Sequence, residues 1–307
     1  MTETLRLIAF PGAPNLPIFA GMDLALFAAE GIAVELETTP SSAYQIPRLA
    51  DGTFDVAATA VDNIVAYRAG HGPVAIDAPD ELFVAMGATT IELSLVAAPE
   101  FGAVAELAGR SLALDAVATG FAFVLYRMLE DAGLDPAAMQ MTPVGATPER
   151  WASVKDGTHD ATLTIEPFTS MARAAGYRVL DTSTRLFSHY QGGVFAARRG
   201  WAADNAERLT GFTRGYLAAL DWVRRPENRT AAVDILGRHM PQIAPGALDR
   251  VLDNVLSPDR GLTPNATLDP EGIRTVLDLR RRYGPPGLLD EAPDVFVDLS
   301  YYDRARR

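Results

Sequence analysis

The sequence feature that most constrains the fold is a long internal repeat. The segment 51–55, Asp-Gly-Thr-Phe-Asp, recurs 105 positions later as Asp-Gly-Thr-His-Asp at 156–160. Each copy follows a helical pattern and leads into a short apolar run, Val56 to Ala60 in the first copy and Ala161 to Ile165 in the second. Two copies so far apart are typical of two similar lobes, whereas a solenoid has shorter and more numerous periods. The repeat therefore predicts two α/β lobes facing a cleft, and such a cleft favours a small-molecule ligand.

The order of elements supports the same interpretation. Leu5 to Ala9 and Ile32 to Leu36 have the pattern of buried strands, and the stretch between them has helical spacing that ends at Gly31. Strands and helices that alternate in this way build a parallel sheet covered by helices. After Gly200 the pattern changes to consecutive amphipathic helices.

Composition excludes several classes of partner and site. The net charge is −12, and Lys155 is the only lysine, which disfavours nucleic acid and anionic membranes as partners. No apolar run is long enough to span a membrane, so we expect no membrane insertion. The chain has no cysteine, which removes disulfides, thiolate metal sites, cysteine nucleophiles and lipid-modified cysteines from consideration.

The N-terminal segment does not have the pattern of a secretory signal. It lacks a basic start, and its apolar run is short and reaches Pro11. The sequence therefore predicts a cytoplasmic location if Met1 is the native start, and a periplasmic or extracellular location if a leader has been removed.

Several short motifs, in order, resemble one known family. Segment 16–36 is similar to the N-terminal signature of nitrate/sulfonate/taurine solute-binding proteins and of the related thiamine-pyrimidine precursor synthases. Segment 107–113, Leu-Ala-Gly-Arg-Ser-Leu-Ala, is similar to the family's sequence at the start of the second lobe. Segments 129–135 and 166–167 match further family positions.

The resemblance implies a type II periplasmic-binding-protein fold, with two similar three-layer α/β lobes around a ligand cleft and two crossover strands between them. It assigns residues 1–89 and 192–307 to the first lobe, with the C-terminal helices, and residues 90–191 to the second. Hinge closure near Thr89 and Gln191 is the expected motion. Because pyrimidine synthases and desulfinases of this fold depend on cysteine, their activities are excluded here.

Ligands of open α/β sheets bind at the carboxyl ends of the strands, where helix N-termini converge. Applied to this chain, that rule predicts a ligand-binding set. Its members are Pro11, Asn15, Ser41, Ser42, Tyr44, Asp62, Asn63, Thr119, Gly120 and Glu166. The alternative for the serines, the threonine and Asp62 is ordinary helix capping. Tyr44 combines a ring with a hydrogen-bond donor, which suits an aromatic or amphipathic anion.

Asp62 and Glu166 follow equivalent repeat strands, so we expect them to approach when the cleft closes. Two carboxylates in a dry site require a cationic ligand group, an intervening arginine or a bound proton. His189 lies where the chain leaves the second lobe. These three residues are the acid/base candidates.

The histidines do not have metal-ligand spacing, and we expect neither a metal nor a cofactor. Two functions remain open. The first is a transport receptor that binds a small organic anion, a carboxylate or sulfonate with an apolar or aromatic body, and that has an ABC permease as its partner. The second is a cytoplasmic enzyme on the same fold, such as a decarboxylase, dehydratase or other lyase.

Overall fold

Two five-stranded sheets form the framework of the molecule. The structure is a computed structural model, and it describes residues 2–286 and 292–307. Residue 1 and residues 287–291, which the sequence analysis assigns to the first lobe, lie outside the described residues. We call the part built on the first sheet lobe 1 and the part built on the second sheet lobe 2. The two-lobe α/β fold predicted from the repeat is confirmed.

The sheet of lobe 1 has the order β2-β1-β3-β10-β4, with β10 antiparallel to both of its neighbours. Its strands are β1 Glu3–Ala9, β2 Ile32–Thr38, β3 Val56–Ala60, β4 Leu82–Thr89 and β10 Gly193–Arg198. Its helices are α1 Leu16–Asp23, α2 Leu26–Ala29, α3 Ser42–Ala50 and α4 Val61–Arg68.

The sheet of lobe 2 has the corresponding order β7-β6-β8-β5-β9. Its strands are β5 Ser94–Ala97, β6 Ser111–Leu114, β7 Gln140–Pro143, β8 Ala161–Thr164 and β9 Arg178–Thr182. Its helices are α5 Gly120–Asp131, α6 Thr147–Lys155, α7 Phe168–Ala174 and α8 Ser183–Leu186.

The repeated motif has the same role in both lobes. The carboxylate of Asp55 accepts a hydrogen bond of 2.8 Å from the backbone N–H of Arg6 in β1. The carboxylate of Asp160 accepts one of 2.8 Å from the backbone N–H of Ser111 in β6. The spacing of 105 residues thus relates β1 to β6 as well as one copy of the motif to the other, which places side chains 105 positions apart in equivalent environments.

The C-terminal segment consists of helices that pack mainly on lobe 1. They are α9 Arg199–Asp204, α10 Ala206–Arg224, α11 Arg229–His239, α12 Leu248–Leu256, α13 Pro270–Tyr283 and α14 Ser300–Ala305. The apolar face of α10 packs on α1 and α2, whereas α13 contacts both α4 of lobe 1 and α5 of lobe 2. Within the described residues, no helix is long and apolar enough to cross a membrane.

Two crossovers join the lobes, one between β4 and β5 and one between α8 and β10. The sequence predicts an extended run from Ile91 to Ala97, but the strand begins at Ser94 and Ile91 has a φ of 51°. A Cβ on Gly192 of the other crossover would lie 2.0 Å from the Ile91 side chain. The crossovers therefore pass so closely that only glycine fits at position 192.

Candidate functional site

The candidate site is a cavity between the two lobes, at the carboxyl ends of the central strands. About 890 Å³ of non-protein space lies in and at the mouth of this cavity, a volume that includes open solvent. Its wall is mainly apolar, with contributions from Phe10, Ile18, Ile91, Phe121, Ile165, Val194, Phe195 and Tyr216. The neutral polar side chains on the wall are Asn15, Thr59, Asn63, Thr89, Thr119 and Thr147. An apolar wall with a few convergent polar groups is the usual composition of a small-molecule site.

Arg150 and Asp115 are the charged residues on this wall. Arg150, on α6, is only 4% exposed, and burial lowers its pKa to about 10, so it remains charged at neutral pH. Its guanidinium donates to the carbonyl oxygens of Gly145 at 3.0 Å and Leu163 at 3.1 Å and to the hydroxyl of Thr147 at 3.0 Å. Its Nε is buried without a partner among the described residues. Arg150 is thus a buried cation whose hydrogen bonds go to neutral groups.

Asp115 reaches across the cleft from the loop after β6. Its carboxylate oxygens lie 3.3 Å and 3.4 Å from the backbone nitrogen of Ser42, at the start of α3 in lobe 1. Two other backbone contacts also cross the cleft, from Ala146 N to the carbonyl oxygen of Pro40 at 2.8 Å and from Ala13 N to that of Glu166 at 3.0 Å. Because these bonds require the lobes to approach each other, the structure represents a closed conformation.

Asp62 makes the most buried of the cross-lobe contacts. It lies in the first turn of α4, and one of its oxygens accepts a bond of 2.6 Å from the backbone N–H of Gly120, the first residue of α5 in lobe 2. Arg280 of α13 holds both carboxylate oxygens, through Nε at 2.7 Å and Nη2 at 2.5 Å. Arg280 also donates to the carbonyl oxygen of Ala118 at 3.2 Å. The cation that neutralises Asp62 is therefore an arginine of the chain itself.

Glu166 has different partners from Asp62, and no hydrogen bond joins the two among the described residues. Its Oε1 accepts bonds from Ser170 at 2.9 Å and from Asn254 of α12 at 2.8 Å. Its Oε2 is buried without a partner in the described structure, and burial raises the pKa of this carboxyl group. Glu166 lines a smaller cavity that borders the main one at Pro14 and Ile91. The two carboxylates thus have separate partners in the closed structure, and their expected approach stays a prediction.

The raised pKa of Glu166 leads to a prediction about stability. Because the folded state binds this proton more tightly, its contribution to stability is fully present below the unfolded-state pKa and is lost as pH rises through the folded-state pKa. Glu166→Gln keeps an acceptor oxygen and removes the titration. We expect its free energy of unfolding to equal or exceed that of the wild type at about pH 7, and the difference to shrink toward about pH 4.

Urea denaturation at both pH values checks this expectation. The exposed Glu207, at 83% side-chain exposure, provides the matched control as Glu207→Gln. If Glu166→Gln is less stable than the wild type by as much at neutral pH as at acid pH, the folded state does not favour the protonated form of Glu166.

The other residues predicted from sequence fall into two groups. Asn15, Asn63, Thr119 and Gly120 line the main cavity. The residues outside its wall are Pro11, Ser41, Ser42, Tyr44 and Asp62 from the ligand-binding set, together with His189. Their contact with a ligand remains a prediction.

Hydrogen bonds account for three of these positions. The Ser41 side chain accepts from the backbone N–H of Tyr44 at 3.2 Å and so caps α3. The Tyr44 hydroxyl lies 3.2 Å from a carboxylate oxygen of Glu37 on the exposed surface. Exposed His189 lies 2.8 Å from Asp269. The three acid/base candidates, Asp62, Glu166 and His189, therefore have separate partners and do not form one cluster.

Sequence reasoning missed both charged residues of the cavity, although the repeat contains a signal for them. With a spacing of 105, Arg150 corresponds to Gln45 and Asp115 corresponds to Phe10. The amide of Gln45 donates to the carbonyl oxygen of Ala58 at 3.0 Å, and Ala58 is the counterpart of Leu163, which accepts from Arg150. The register thus marks two positions at which lobe 2 has a charge and lobe 1 has none.

The comparisons with known proteins agree with this architecture. A periplasmic aliphatic sulphonate binding protein from Escherichia coli superposes with a TM-score of 0.69 at 21% identity, covering 98% of this chain and 92% of that chain. A periplasmic nitrate-binding protein from Synechocystis superposes with a TM-score of 0.79 at 14% identity, covering 99% and 88%. A desulfurization enzyme superposes with a TM-score of 0.65 at 13% identity, covering 99% of both chains. A search of curated protein sequences gave no match.

The fold is therefore that of the periplasmic binding proteins, with a cavity between the lobes. The chain belongs to the NMT1-like family, whose model matches residues 2–237. The resemblance to nitrate and sulfonate binding proteins, drawn from segments 16–36 and 107–113, is confirmed at the level of family and fold.

Proposed function

We propose that this chain is a solute-binding protein that closes on a small organic anion with an apolar body and presents it to an ABC permease. The observation that carries the proposal is the buried guanidinium of Arg150 on the wall of a mostly apolar cavity. A buried cation is costly unless it is paired with an anion. Among the described residues no carboxylate lies within ion-pair distance of Arg150, and Asp115 and Glu149 act on it only as more distant charges. A ligand carboxylate or sulfonate is therefore the group that can pair with it directly.

The comparison between the lobes separates the structural role of Arg150 from its charge. Gln45 makes the equivalent bond to a strand carbonyl in lobe 1 with a neutral amide. A neutral side chain is therefore sufficient to tie the helix to the sheet at this position. The positive charge of Arg150 is additional to that role, which supports its assignment as the anion-binding group.

Helix α6 also favours an anion at the same end of the cavity. Thr147 is its first residue and lines the cavity, and helix N-termini favour negative charge. The aromatic rings of Phe10, Phe121 and Phe195 provide an apolar surface for the rest of the ligand. The family and the solved relatives, which include proteins for sulphonate and for nitrate, support a transport receptor. In that role the mature protein would act in the periplasm or outside the cell.

Arg150→Gln tests the proposal, because it installs in lobe 2 the residue that lobe 1 already has. We expect affinity for carboxylates and sulfonates to fall about 10- to 100-fold, which is the effect of losing a charged hydrogen bond. Calorimetric titration with the best anions from a panel of carboxylates and sulfonates measures this change. The thermal stability should change little, since Gln45 makes the equivalent structural bond.

The matched control is Arg127→Gln on α5, whose side chain is 39% exposed and pairs with Asp131. Unchanged anion affinity in Arg150→Gln, or an equal loss in Arg127→Gln, would refute the proposal. Conversion of the bound anion to a product during the titration would support an enzyme instead of a receptor.

A further inference from the structure

The inference concerns the second charge of the cavity, the carboxylate of Asp115. Asp115 lines the same wall as Arg150. Among the described residues no ion pair within 4.0 Å joins the two, and Asp115 acts on the guanidinium only as a more distant charge, which raises the pKa of Arg150 against the larger lowering by burial. Its hydrogen-bond contacts are the two long ones, of 3.3 Å and 3.4 Å, to the single backbone N–H of Ser42. Since an ionised carboxylate has acceptor sites on both oxygens, Asp115 retains capacity for a further donor.

The register of the repeat shows that this charge is not required by the fold. The position equivalent to Asp115 in lobe 1 is Phe10, which follows β1 as Asp115 follows β6 and which lines the same cavity. An aromatic ring thus follows β1 on the lobe 1 side of the cavity, and a carboxylate follows β6 on the lobe 2 side. A side chain without charge is compatible with this position.

The two charges together restrict the ligand more than Arg150 does alone. A simple anion would satisfy Arg150 but would bring a second negative charge into a largely apolar cavity beside Asp115, and like charges disfavour each other there. A ligand that also carries a cationic group would satisfy both residues. The ligand and the two charges would then sum to zero, which is the arrangement that a low-dielectric cavity favours.

We propose that the ligand is a zwitterion, with its acid group at Arg150, a protonated or quaternary amine at Asp115 and an apolar or aromatic body against the wall between them. This inference rests on the proposed function, because it takes the acid group at Arg150 as given. It narrows the ligand class from organic anions to amino-acid-like zwitterions that carry an apolar or aromatic body.

Asp115 has one competing role, which is to hold the lobes together through Ser42. The two roles differ in what they predict for pairs of ligands. A contact that only favours closure affects every ligand equally, whereas a contact with an amine affects only ligands that carry one. Asp115→Asn separates them, because an amide oxygen still accepts from the Ser42 N–H while the negative charge is lost.

The experiment is calorimetric titration of the wild type and of Asp115→Asn with matched ligand pairs that differ only in the amine. L-phenylalanine with phenylpropanoate, leucine with isocaproate, and taurine with ethanesulfonate form a panel of different bodies and acid groups. We expect the wild type to prefer the amino member of the pair that fits best by about 10- to 100-fold, as for a charged hydrogen bond. We expect Asp115→Asn to lose most of that preference, because only its affinity for the amino member of the pair should fall.

Two results would overturn the inference while leaving the proposed function intact. One is equal affinity of the wild type for both members of every pair. The other is an equal loss for both members in Asp115→Asn, which would assign Asp115 to closure alone. In both cases Arg150→Gln would still lower the affinity for every carboxylate and sulfonate, since that variant tests the contact with the acid group of the ligand. Absence of binding by every member of the panel would overturn the inference and the proposed function together.

Discussion

Asp62→Asn should destabilise the protein by about 3–5 kcal/mol, the range observed when one partner of a buried ion pair is removed. Asp62 is 1% exposed and Arg280 is fully buried, so the variant leaves a guanidinium without an anion in the interior. The loss should appear as a fall in the free energy of unfolding, measured by urea denaturation at neutral pH. The amide introduced by the substitution would also accept from Gly120 without charge, which weakens the contact between α4 and α5.

Two further variants make this expectation specific to the buried pair. Asp62→Leu combined with Arg280→Met removes both charges and should recover most of the lost stability, because replacing a buried pair by apolar side chains is often neutral. Asp221→Asn breaks the exposed pair with Arg225, whose side chains are 63% and 55% exposed, and should change stability little. If Asp62→Asn is no more destabilising than Asp221→Asn, the Asp62–Arg280 pair does not hold the lobes as the structure indicates.

The same pair illustrates what sequence could not predict. The sequence places Asp62 just after a predicted strand, but its partner Arg280 lies 218 residues further along the chain. No local pattern connects positions that far apart, and α13 has several exposed arginines with the same sequence appearance as Arg280. Sequence reasoning therefore assigns Asp62 to a ligand, although the chain itself provides its cation.

Sequence predicted the lobes better than the site, and the reason is physical. The lobes follow from a repeated motif in which each aspartate accepts a hydrogen bond from the backbone of a strand, as Asp55 does from Arg6 and Asp160 from Ser111. The site depends on small departures from that repeat, at Arg150 against Gln45 and at Asp115 against Phe10. Their meaning lies in burial and in missing partners, which only the folded chain shows. Rules for strand ends nonetheless found Asn15, Asn63, Thr119 and Gly120 on the cavity wall.

Gly120→Ala should hold the lobes apart. A Cβ at this position would lie 2.6 Å from the Cβ of Asp62 and 2.7 Å from its Cγ, closer than side-chain carbons approach in proteins. Because Gly120 belongs to lobe 2 and Asp62 to lobe 1, the contact can be relieved by opening the cleft without disturbing either sheet. If the closed state falls to about one tenth of the population, the apparent affinity for ligand falls about 10-fold.

Small-angle X-ray scattering on the ligand-free protein distinguishes this effect from direct interference with a ligand, since Gly120 also lines the cavity. We expect a larger radius of gyration for Gly120→Ala than for the wild type, together with weaker binding in calorimetry. Gly246→Ala is the matched control, because nothing lies within 4 Å of a Cβ built there. An unchanged radius and an unchanged affinity in Gly120→Ala would mean that Asp62 shifts within the closed state. In that case the contact between α4 and α5 would not control closure.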